Sequence, residues 1–283
     1  MVKHFLKLFI LTLCILGLSG CNLDLIGLFT SSDVDERFKE KDNLTFLVNS
    51  TRDWSSLSLE NDFSFIVLTD THIEDGETFG LENLAGVITA FNADTENIKI
   101  EFAVVLGDIT QYGSAQDINK FIEVAEQLTV PCYPVIGNHD VYFGNWSSVW
   151  RKKIGSATYR INAGSTTLFM LDSANSFFGK EQLNWLEREI KTAAGKVFVF
   201  THSPLFVTGP AGMQQITDTK ERARIVSILK DKCDIMFMGH SHKYYYNEAG
   251  NVKYIALEDF IDMNVYYLVT VKSGEIVYLR KTL

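Results

Sequence analysis

The sequence has few cysteines and no long run of positive charge. Only four of its 283 residues are cysteine, and their spacing fits neither a disulfide scaffold nor a zinc finger. Its 26 basic and 35 acidic residues give a formal net charge of −9, and no long Lys/Arg run is present. Because binding to nucleic-acid backbones depends on clustered positive charge, no specific nucleic-acid partner is expected. With 46% hydrophobic residues, the chain is long enough to bury the core of an enzyme.

The first twenty residues also lack a hydrophobic run long enough to span a membrane, which needs ~20 apolar residues. A short basic start precedes residues 8–18, which are almost wholly apolar, and residues 1–20 are therefore predicted to be a secretory signal peptide. The sequence Leu-Ser-Gly-Cys at 18–21 resembles the lipobox of bacterial lipoproteins, in which cleavage precedes a lipidated cysteine. We expect Cys21 to carry a lipid that anchors the protein in a bacterial cell envelope. The sequence leaves open which membrane leaflet holds this anchor. The alternative is an uncleaved anchor or ordinary secretion.

The rest of the chain divides into a polar tether and one domain of enzyme size. The lipidated cysteine, the tether and a lead-in segment are predicted over residues 21–60, because residues 22–42 are mostly polar and charged. The domain is predicted over residues 61–283. Within it, Cys132 and Cys233 are expected to be buried and inert, and the sequence leaves open whether they form a disulfide.

Within the domain, short apolar segments alternate with segments of helical periodicity. Strands buried on both faces are predicted at 63–69, 102–106, 133–136, 168–171, 197–200 and 235–238, because these runs lack polar alternation. One helix is predicted to begin at a capping box formed by Ser114 and Asp117. After residue 244 the pattern favours only strands, with a hairpin turn at 272–274. This order of elements predicts an α/β core with an added antiparallel sheet.

Potential metal ligands follow five of the predicted strands. Of the six histidines, His4 lies in the predicted signal peptide, whereas the other five all lie just after strands. In an open α/β sheet such loops meet at the carboxyl edge, where ligands bind. The candidate residues at this edge are Asp70, His72, Asp108, Asn138, His139, Asp140, His202, His240 and His242.

This mixture of imidazole, carboxylate and amide groups suits a hydrolytic site with two metal ions. Mixed nitrogen and oxygen ligands favour first-row transition metals over Ca²⁺ and Mg²⁺, which prefer oxygen. Two such ions ~3.5–4 Å apart can acidify a shared water molecule and clamp the oxygens of an in-line displacement. The sequence therefore predicts two first-row transition metal ions as cofactors.

The blocks Asp-x-His, Gly-Asp, Gly-Asn-His-Asp, His and Gly-His-x-His, in this order, resemble those of the calcineurin-like metallophosphoesterase family. They begin at residues 70, 107, 137, 202 and 239. Segments at 171–173, 181–186 and 202–204 are similar to the cyclic-nucleotide phosphodiesterase and purple-acid-phosphatase-like branches. The resemblance implies an α/β fold, a four-layer α/β/β/α sandwich of two facing mixed sheets flanked by helices. It also implies a dinuclear site that holds Fe, Mn or Zn.

The resemblance further implies a role for each candidate residue. The metal ligands would be Asp70, His72 and His242 for one ion, Asn138, His202 and His240 for the other, and Asp108 for both. A hydroxide that bridges the ions would attack phosphorus, and His139 would protonate the leaving alkoxide. Asp140 would orient His139 and raise its pKa. The substrate implied is a small phosphoester, with diester and monoester both open.

Departures from the family pattern distinguish this chain from two branches of the family. Purple acid phosphatases carry a tyrosine three residues after the bridging aspartate, where this chain has Gln111. Residues 107–113 also lack the phosphate-binding arginine of protein Ser/Thr phosphatases. Two other functions stay open, a lipoprotein that binds in the envelope without turnover and a nuclease, although the acidic composition disfavours the nuclease.

The segment after Asp140 has two interpretations. Its aromatic residues precede a basic stretch at 151–153, and together these could stack a nucleobase and steer phosphate. The same segment is typical of a short helix that begins at an Asn145 cap and ends before Gly155. We favour the helix.

Overall fold

A computed structural model describes residues 32–50, 53–207 and 215–283. The predicted signal peptide (1–20) and Cys21 with its predicted lipid lie outside this part of the chain. Among the described residues, no helix combines the length and the apolar character needed to cross a bilayer.

The strands of the described residues form two mixed sheets. In chain order they are β1 (Phe63–Leu68), β2 (Ile100–Leu106), β3 (Cys132–Val135), β4 (Tyr159–Ala163), β5 (Thr166–Met170), β6 (Lys196–Phe200), β7 (Ile235–Met238), β8 (Tyr245–Ala249), β9 (Val252–Ala256), β10 (Val265–Lys272) and β11 (Glu275–Thr282). The first sheet has the order β11-β10-β1-β2-β3 and the second the order β4-β5-β6-β7-β9-β8. Parallel pairing joins β1, β2 and β3 in the first sheet, and β5, β6, β7 and β9 in the second. The remaining pairs are antiparallel.

The two sheets face each other across an aromatic core. The ring of Phe65 on β1 lies 5.0 Å from the Phe198 ring on β6 and 6.3 Å from the Phe237 ring on β7. Both contacts are edge-to-face, the arrangement that the charge distribution of aromatic rings favours. All residues of β1 and β5 are buried, which explains why their sequences show no polar alternation.

Helices cover the outer faces of the sheets. In chain order they are α1 (Val34–Phe38), α2 (Thr45–Asn49), α3 (Leu84–Ala93), α4 (Ala115–Gln127), α5 (Arg151–Lys153), α6 (Lys180–Glu189) and α7 (Thr219–Leu229). Phe121 of α4 packs with the first sheet, whereas Leu186 of α6 and Ile225 of α7 pack with Val199 on the outer face of the second. The predicted four-layer α/β/β/α sandwich is therefore confirmed.

Two predicted helix starts have different outcomes. The Ser114 hydroxyl accepts a hydrogen bond from the Asp117 main-chain nitrogen (3.1 Å), so the predicted cap of α4 is confirmed. Asn145 has a helical backbone and makes no capping bond; its side-chain nitrogen donates to the Tyr112 main-chain oxygen (2.7 Å). A short helix does follow, as a π-helical turn over Trp146–Trp150 that continues into α5. The predicted cap is wrong because Asn145 joins two loops instead.

The sequence pattern does not predict β4 or β8. Both are edge strands of the second sheet, so each pairs with a neighbour on one side only. Their exposed positions carry polar residues such as Asn162 in β4 and Glu248 in β8. The predicted hairpin at 272–274 does form between β10 and β11, with positive φ angles at Ser273 (51°) and Gly274 (83°).

The end of the predicted tether packs against the domain. The guanidinium of Arg37 in α1 is fully buried and donates to both carboxylate oxygens of Asp172, at 2.6 and 3.0 Å. Asp35 accepts a hydrogen bond from the Glu181 main-chain nitrogen at the start of α6 (3.0 Å). The tether predicted over 22–42 is thus wrong for its described part. Composition marks these residues as polar, but it cannot reveal that Arg37 has a buried partner 135 residues away.

Both domain cysteines are buried and free. Cys132 lies in β3 and packs in the same apolar core as Phe65, whereas Cys233 precedes β7 and packs on the outer face of the second sheet. Burial raises the pKa of the Cys132 thiol to about 12. The prediction that both are buried is confirmed, and in this structure they do not pair.

Candidate metal centre

All nine predicted site residues lie at one edge of the two sheets. They follow β1 (Asp70, His72), β2 (Asp108), β3 (Asn138, His139, Asp140), β6 (His202) and β7 (His240, His242). Parallel strands bring their carboxyl ends to the same edge, so residues up to 172 positions apart meet there.

Five of these residues adopt a left-handed backbone conformation. The φ angles are positive at Asp70 (56°), His72 (44°), Asp108 (45°), His240 (67°) and His242 (53°). For residues other than glycine this conformation costs about 1–3 kcal/mol and persists only where surrounding contacts enforce it. Here the main-chain nitrogens of Asp70 and His72 donate to the oxygens of Gly107 (3.1 Å) and Asp108 (2.9 Å). The strained turns follow the strands directly and carry most of the predicted metal ligands.

Two glycines allow the loops to approach each other closely. A Cβ atom at Gly107 would lie 2.8 Å from the His202 ring, and Gly107 also has a positive φ angle of 86°. A Cβ atom at Gly137 would overlap the main chain and carboxylate of Asp108. Glycine is therefore required before Asp108 and before Asn138 for steric reasons.

The first group of ligand atoms comes from Asp70, His72 and His242. Oδ1 of Asp70 lies 3.3 Å from Nε2 of His242 and 3.8 Å from Nε2 of His72. Both Asp70 Oδ1 and His72 Nε2 are buried and have no hydrogen-bond partner among the described residues. Burial lowers the pKa of His72, which favours the neutral ring with a free lone pair. The convergence of unpartnered lone pairs fits a bound cation.

The second group comes from Asp108, His202 and His240. Nε2 of His202 lies 3.1 Å from Oδ2 of Asp108 and 3.0 Å from Nδ1 of His240. Nδ1 of His202 donates to the Leu106 main-chain oxygen (2.8 Å), which leaves Nε2 directed at the site.

Asn138 completes the second group. Its Oδ1 atom lies 3.1 Å from Nε2 of His202, and its Nδ2 atom donates to the hydroxyl of Tyr142 (2.8 Å). The amide is placed with its nitrogen toward Tyr142 and its oxygen toward His202. The oxygen is therefore available as a metal ligand.

Two buried carboxylates give the site its charge. Burial alone would raise the pKa of Asp108, but the surrounding histidines, His202 foremost, together outweigh burial and hold that pKa below its ordinary value. Burial likewise opposes ionisation of Asp70, and its contact with His242 again leaves the pKa lowered. Within the described ranges, neither carboxylate forms an ion pair with lysine or arginine. Ionised carboxylates among imidazoles form a donor set that suits transition metal cations.

His139 belongs to neither ligand group. Nδ1 of its ring donates to the Gln111 main-chain oxygen (2.8 Å), and Nε2 lies 4.0 Å from Oδ2 of Asp108. The ring is partly exposed. It therefore stands beside the ligand groups with Nε2 available for proton transfer.

The predicted contact between Asp140 and the His139 ring is wrong. The buried carboxylate of Asp140 accepts hydrogen bonds from the main-chain nitrogens of Gly137 (2.9 Å) and Thr110 (2.9 Å). Asp140 thus joins the loop after β2 to the loop after β3. Because His139 and Asp140 are neighbours in a tight turn, their side chains point to different partners. The Gln111 main-chain oxygen, and not Asp140, orients the His139 ring.

Sequence reasoning missed two residues beside the ligands. Oε1 of Gln111 accepts a hydrogen bond from Nδ1 of His72 (2.6 Å). A carboxylate oxygen of Asp259 lies 3.7 Å from Nδ1 of His242. Asp259 follows β9, which runs parallel to β7. A search for polar residues just after each strand, which found the other candidate residues, would therefore also have found Asp259.

An open cleft of about 340 Å³ lies over the ligand groups. It is lined by His72, Asp108, Gln111, His139, His240, His242, Ile261 and Asp262. No lysine or arginine is among these lining residues, and Asp262 adds a further carboxylate.

The sequence is similar to those of known phosphoesterases. A sequence profile of the calcineurin-like phosphoesterases matches residues 63–244. A probable cyclic nucleotide phosphodiesterase of Fibrobacter succinogenes is 26% identical over 182 residues, which cover 62% of this chain and 71% of the relative. The 3′,5′-cyclic adenosine monophosphate phosphodiesterase CpdA of Vibrio vulnificus is 26% identical over 174 residues, which cover 56% and 61%.

A solved structure supports the fold. The dimetal phosphatase LOC 393393 of Danio rerio is 16% identical and superimposes with a TM-score of 0.56, over 79% of this chain and 99% of the phosphatase. The profile match covers more than half of the 283 residues and spans all nine predicted site residues. The chain belongs to the calcineurin-like phosphoesterase family, a family of metal-dependent hydrolases that act on phosphate esters.

Proposed function

We propose that this protein hydrolyses small phosphodiesters with two metal ions. The observation that carries the proposal is the pair of adjacent ligand groups, Asp70/His72/His242 and Asp108/His202/His240, with their ligand atoms facing inward. The names of the two curated relatives, both phosphodiesterases, support the same reaction.

The proposed ligand sets follow the two groups. Asp70, His72 and His242 hold one ion, Asn138, His202 and His240 hold the other, and Asp108 contributes to both. When bound, two ions such as Fe, Mn or Zn lower the pKa of water and neutralise charge on the phosphoryl oxygens. The buried carboxylates of Asp70 and Asp108 offset part of the metal charge.

His139 is proposed as the general acid. Its Nδ1–H bond to the Gln111 carbonyl fixes the ring, so that Nε2 carries the transferable proton of the imidazolium form. As the bond from water oxygen to phosphorus forms and the ester P–O bond breaks, this proton passes to the leaving alkoxide. The products are an alcohol and a phosphomonoester.

The lining of the cleft favours a diester over a monoester. A monoester carries up to two negative charges near neutral pH and a diester only one. Because the cleft lining lacks lysine and arginine and contains Asp262, it offers no permanently charged side-chain cation for the second charge.

We also propose that the protein is lipid-anchored in the envelope through Cys21. The proposal rests on the lipobox-like sequence at 18–21, which lies outside the described residues. Metabolic labelling with a radioactive fatty acid tests it: the wild-type chain is expected to incorporate label, and the Cys21→Ala variant is not. Equal labelling of both chains would contradict it.

The catalytic proposal is tested with the full chain stripped of metal. Activity on bis(p-nitrophenyl) phosphate is expected to vanish on chelation and to return on addition of Mn²⁺, Zn²⁺ or Fe²⁺. The Asp108→Asn variant is expected to stay inactive after addition, and p-nitrophenyl phosphate is expected to be the poorer substrate. Lys120→Ala, on the exposed face of α4, is the control and is expected to behave as wild type.

The metal mechanism and the assigned substrate class can be contradicted by different outcomes. Full activity after chelation, or in Asp108→Asn, would exclude the metal mechanism. A higher kcat/KM for the monoester than for the diester would leave the metal site intact but exclude the assigned substrate class.

A further inference from the structure

Gln111 contacts two of the site residues with two different oxygens. Its side-chain Oε1 accepts a hydrogen bond from Nδ1 of His72 (2.6 Å), and its main-chain oxygen accepts one from Nδ1 of His139 (2.8 Å). His72 is a proposed metal ligand and His139 the proposed acid. One residue of the loop after β2 therefore orients both rings.

The main chain of Gln111 is fixed independently of its side chain. Its nitrogen donates to the Ile73 main-chain oxygen (2.9 Å), and the neighbouring Thr110 nitrogen donates to the buried Asp140 carboxylate (2.9 Å). The carbonyl that holds His139 is therefore expected to stay in place when the side chain is changed. The side chain itself lines the cleft.

The hydrogen bond from Gln111 determines which nitrogen of His72 faces the metal site. A proton on Nδ1, held by the amide oxygen, leaves the lone pair on Nε2. Nε2 lies 3.8 Å from Oδ1 of Asp70 and has no other partner in the described part of the chain. His72 is also held in a left-handed backbone conformation.

The hydrogen bond between Gln111 and His72 can be removed by substitution, unlike the corresponding bonds of His202 and His139. Nδ1 of His202 bonds to the Leu106 main-chain oxygen and Nδ1 of His139 to the Gln111 main-chain oxygen, and neither acceptor can be removed by substitution. The acceptor for His72 belongs to a side chain. A single substitution can thus alter one ligand group and leave the other unchanged.

We propose that Gln111 is a positioning residue that fixes the tautomer and ring orientation of His72 for the metal held by Asp70, His72 and His242. The inference rests on the proposed two-metal function. Hydrogen-bond partners of metal-ligating histidines typically contribute about 10- to 100-fold to metal affinity.

The test compares Gln111→Leu, which removes the acceptor at similar size, with Gln111→Glu, which keeps an acceptor. In the metal-free full chain, long-range ¹H–¹⁵N spectra report the tautomer of His72. Gln111→Leu is expected to lose the single Nδ1–H tautomer, and Gln111→Glu to retain it. Tyr112→Phe, the exposed neighbour on the same loop, serves as the matched control and is expected to match wild type.

Calorimetric titration with Mn²⁺ or Zn²⁺ provides the second readout. Wild type is expected to bind two ions; in Gln111→Leu one of the two is expected to bind about 10- to 100-fold more weakly, with rescue in Gln111→Glu. If Gln111→Leu keeps the wild-type tautomer and both wild-type affinities, the positioning role is excluded and the proposed function stands. If wild type itself binds no second ion, the proposed function fails first.

Discussion

The ring of His139 is held by Gln111: Nδ1 lies 2.8 Å from the Gln111 main-chain oxygen. The acceptor is neutral, so it fixes the ring without adding a full negative charge beside it. Nε2 is left on the cleft side, 4.0 Å from Oδ2 of Asp108. This arrangement separates the proposed acid from the proposed metal ligands, so the contribution of His139 to the rate can be measured by itself.

Replacement of His139 by alanine is expected to lower kcat by about 10²–10⁴-fold for diesters with an alkyl leaving group, because the alkoxide then departs without a proton. The loss should be much smaller for bis(p-nitrophenyl) phosphate, since nitrophenolate is a stable anion. Rate measurements on both substrates, with the metal content of the variant determined alongside, check this. An equal loss on both substrates at unchanged metal content would exclude the acid role.

Asp140→Asn is expected to destabilise the fold although it preserves the shape of the side chain. Each oxygen of Asp140 accepts two hydrogen bonds, Oδ1 from Thr110 and Oδ2 from Gly137 and Ile109. An amide nitrogen in place of either oxygen would face donors, and unsatisfied buried donors cost about 1–3 kcal/mol. Urea unfolding of the metal-free chain measures the change.

The matched control is Asp94→Asn, because Asp94 accepts a main-chain hydrogen bond from Glu96 at an exposed position. Its unfolding free energy is expected to stay within about 0.5 kcal/mol of wild type. Equal stability of Asp140→Asn and Asp94→Asn would mean that the buried carboxylate does not hold the two loops together.

The site was largely predictable because its residues follow buried strands. The strand β1 is entirely buried and ends two residues before Asp70, and β7 is entirely buried and ends two residues before His240. In such strands the change from apolar to polar residues marks the sheet edge in the sequence itself. The strand order and the pairing of loops were not needed to name the candidate ligands.

The contacts around the ligands were not predictable in the same way. The loops after β2 and β3 determine by their course whether Asp140 or the Gln111 carbonyl holds His139. The residues next to His139 in the sequence do not determine the course of these loops. The same holds for Arg37, whose partner Asp172 lies on a loop distant in sequence. Edge strands such as β8 also escape prediction, because a strand paired on one side tolerates polar residues.

Arg37→Ala is expected to lower the free energy of unfolding by about 3–5 kcal/mol, because it leaves the Asp172 carboxylate buried without its cation. Both side chains of the pair are fully buried. The control is Lys120→Ala, whose partner Glu123 is well exposed, with an expected loss of about 0.2–1 kcal/mol. Denaturant unfolding compares the two, and similar losses would contradict a docking role for α1.

Phe143 provides the last prediction, because its conformation is unfavourable in two respects. Its side chain is 71% exposed, and its backbone is left-handed, with φ at 55°. For a residue other than glycine this backbone costs about 1–2 kcal/mol, so Phe143→Gly is expected to leave stability unchanged or slightly raised. Denaturant unfolding measures this, and a clear loss of stability would show that the ring packs in the fold.

The position of the Phe143 ring suggests why such a conformation is kept. The ring lies 5.9 Å from that of Tyr142, which lies 4.7 Å from the His139 ring, so an exposed aromatic face stands on the side of the proposed acid. If it stacks on a planar ester group, Phe143→Gly raises KM for bis(p-nitrophenyl) phosphate and leaves KM for a dialkyl diester unchanged. Phe143→Leu, which keeps an apolar side chain at the same backbone angle, should show the same selective rise. A uniform change of KM on both substrates would point to an altered loop, since stacking on Phe143 requires an aromatic ester group.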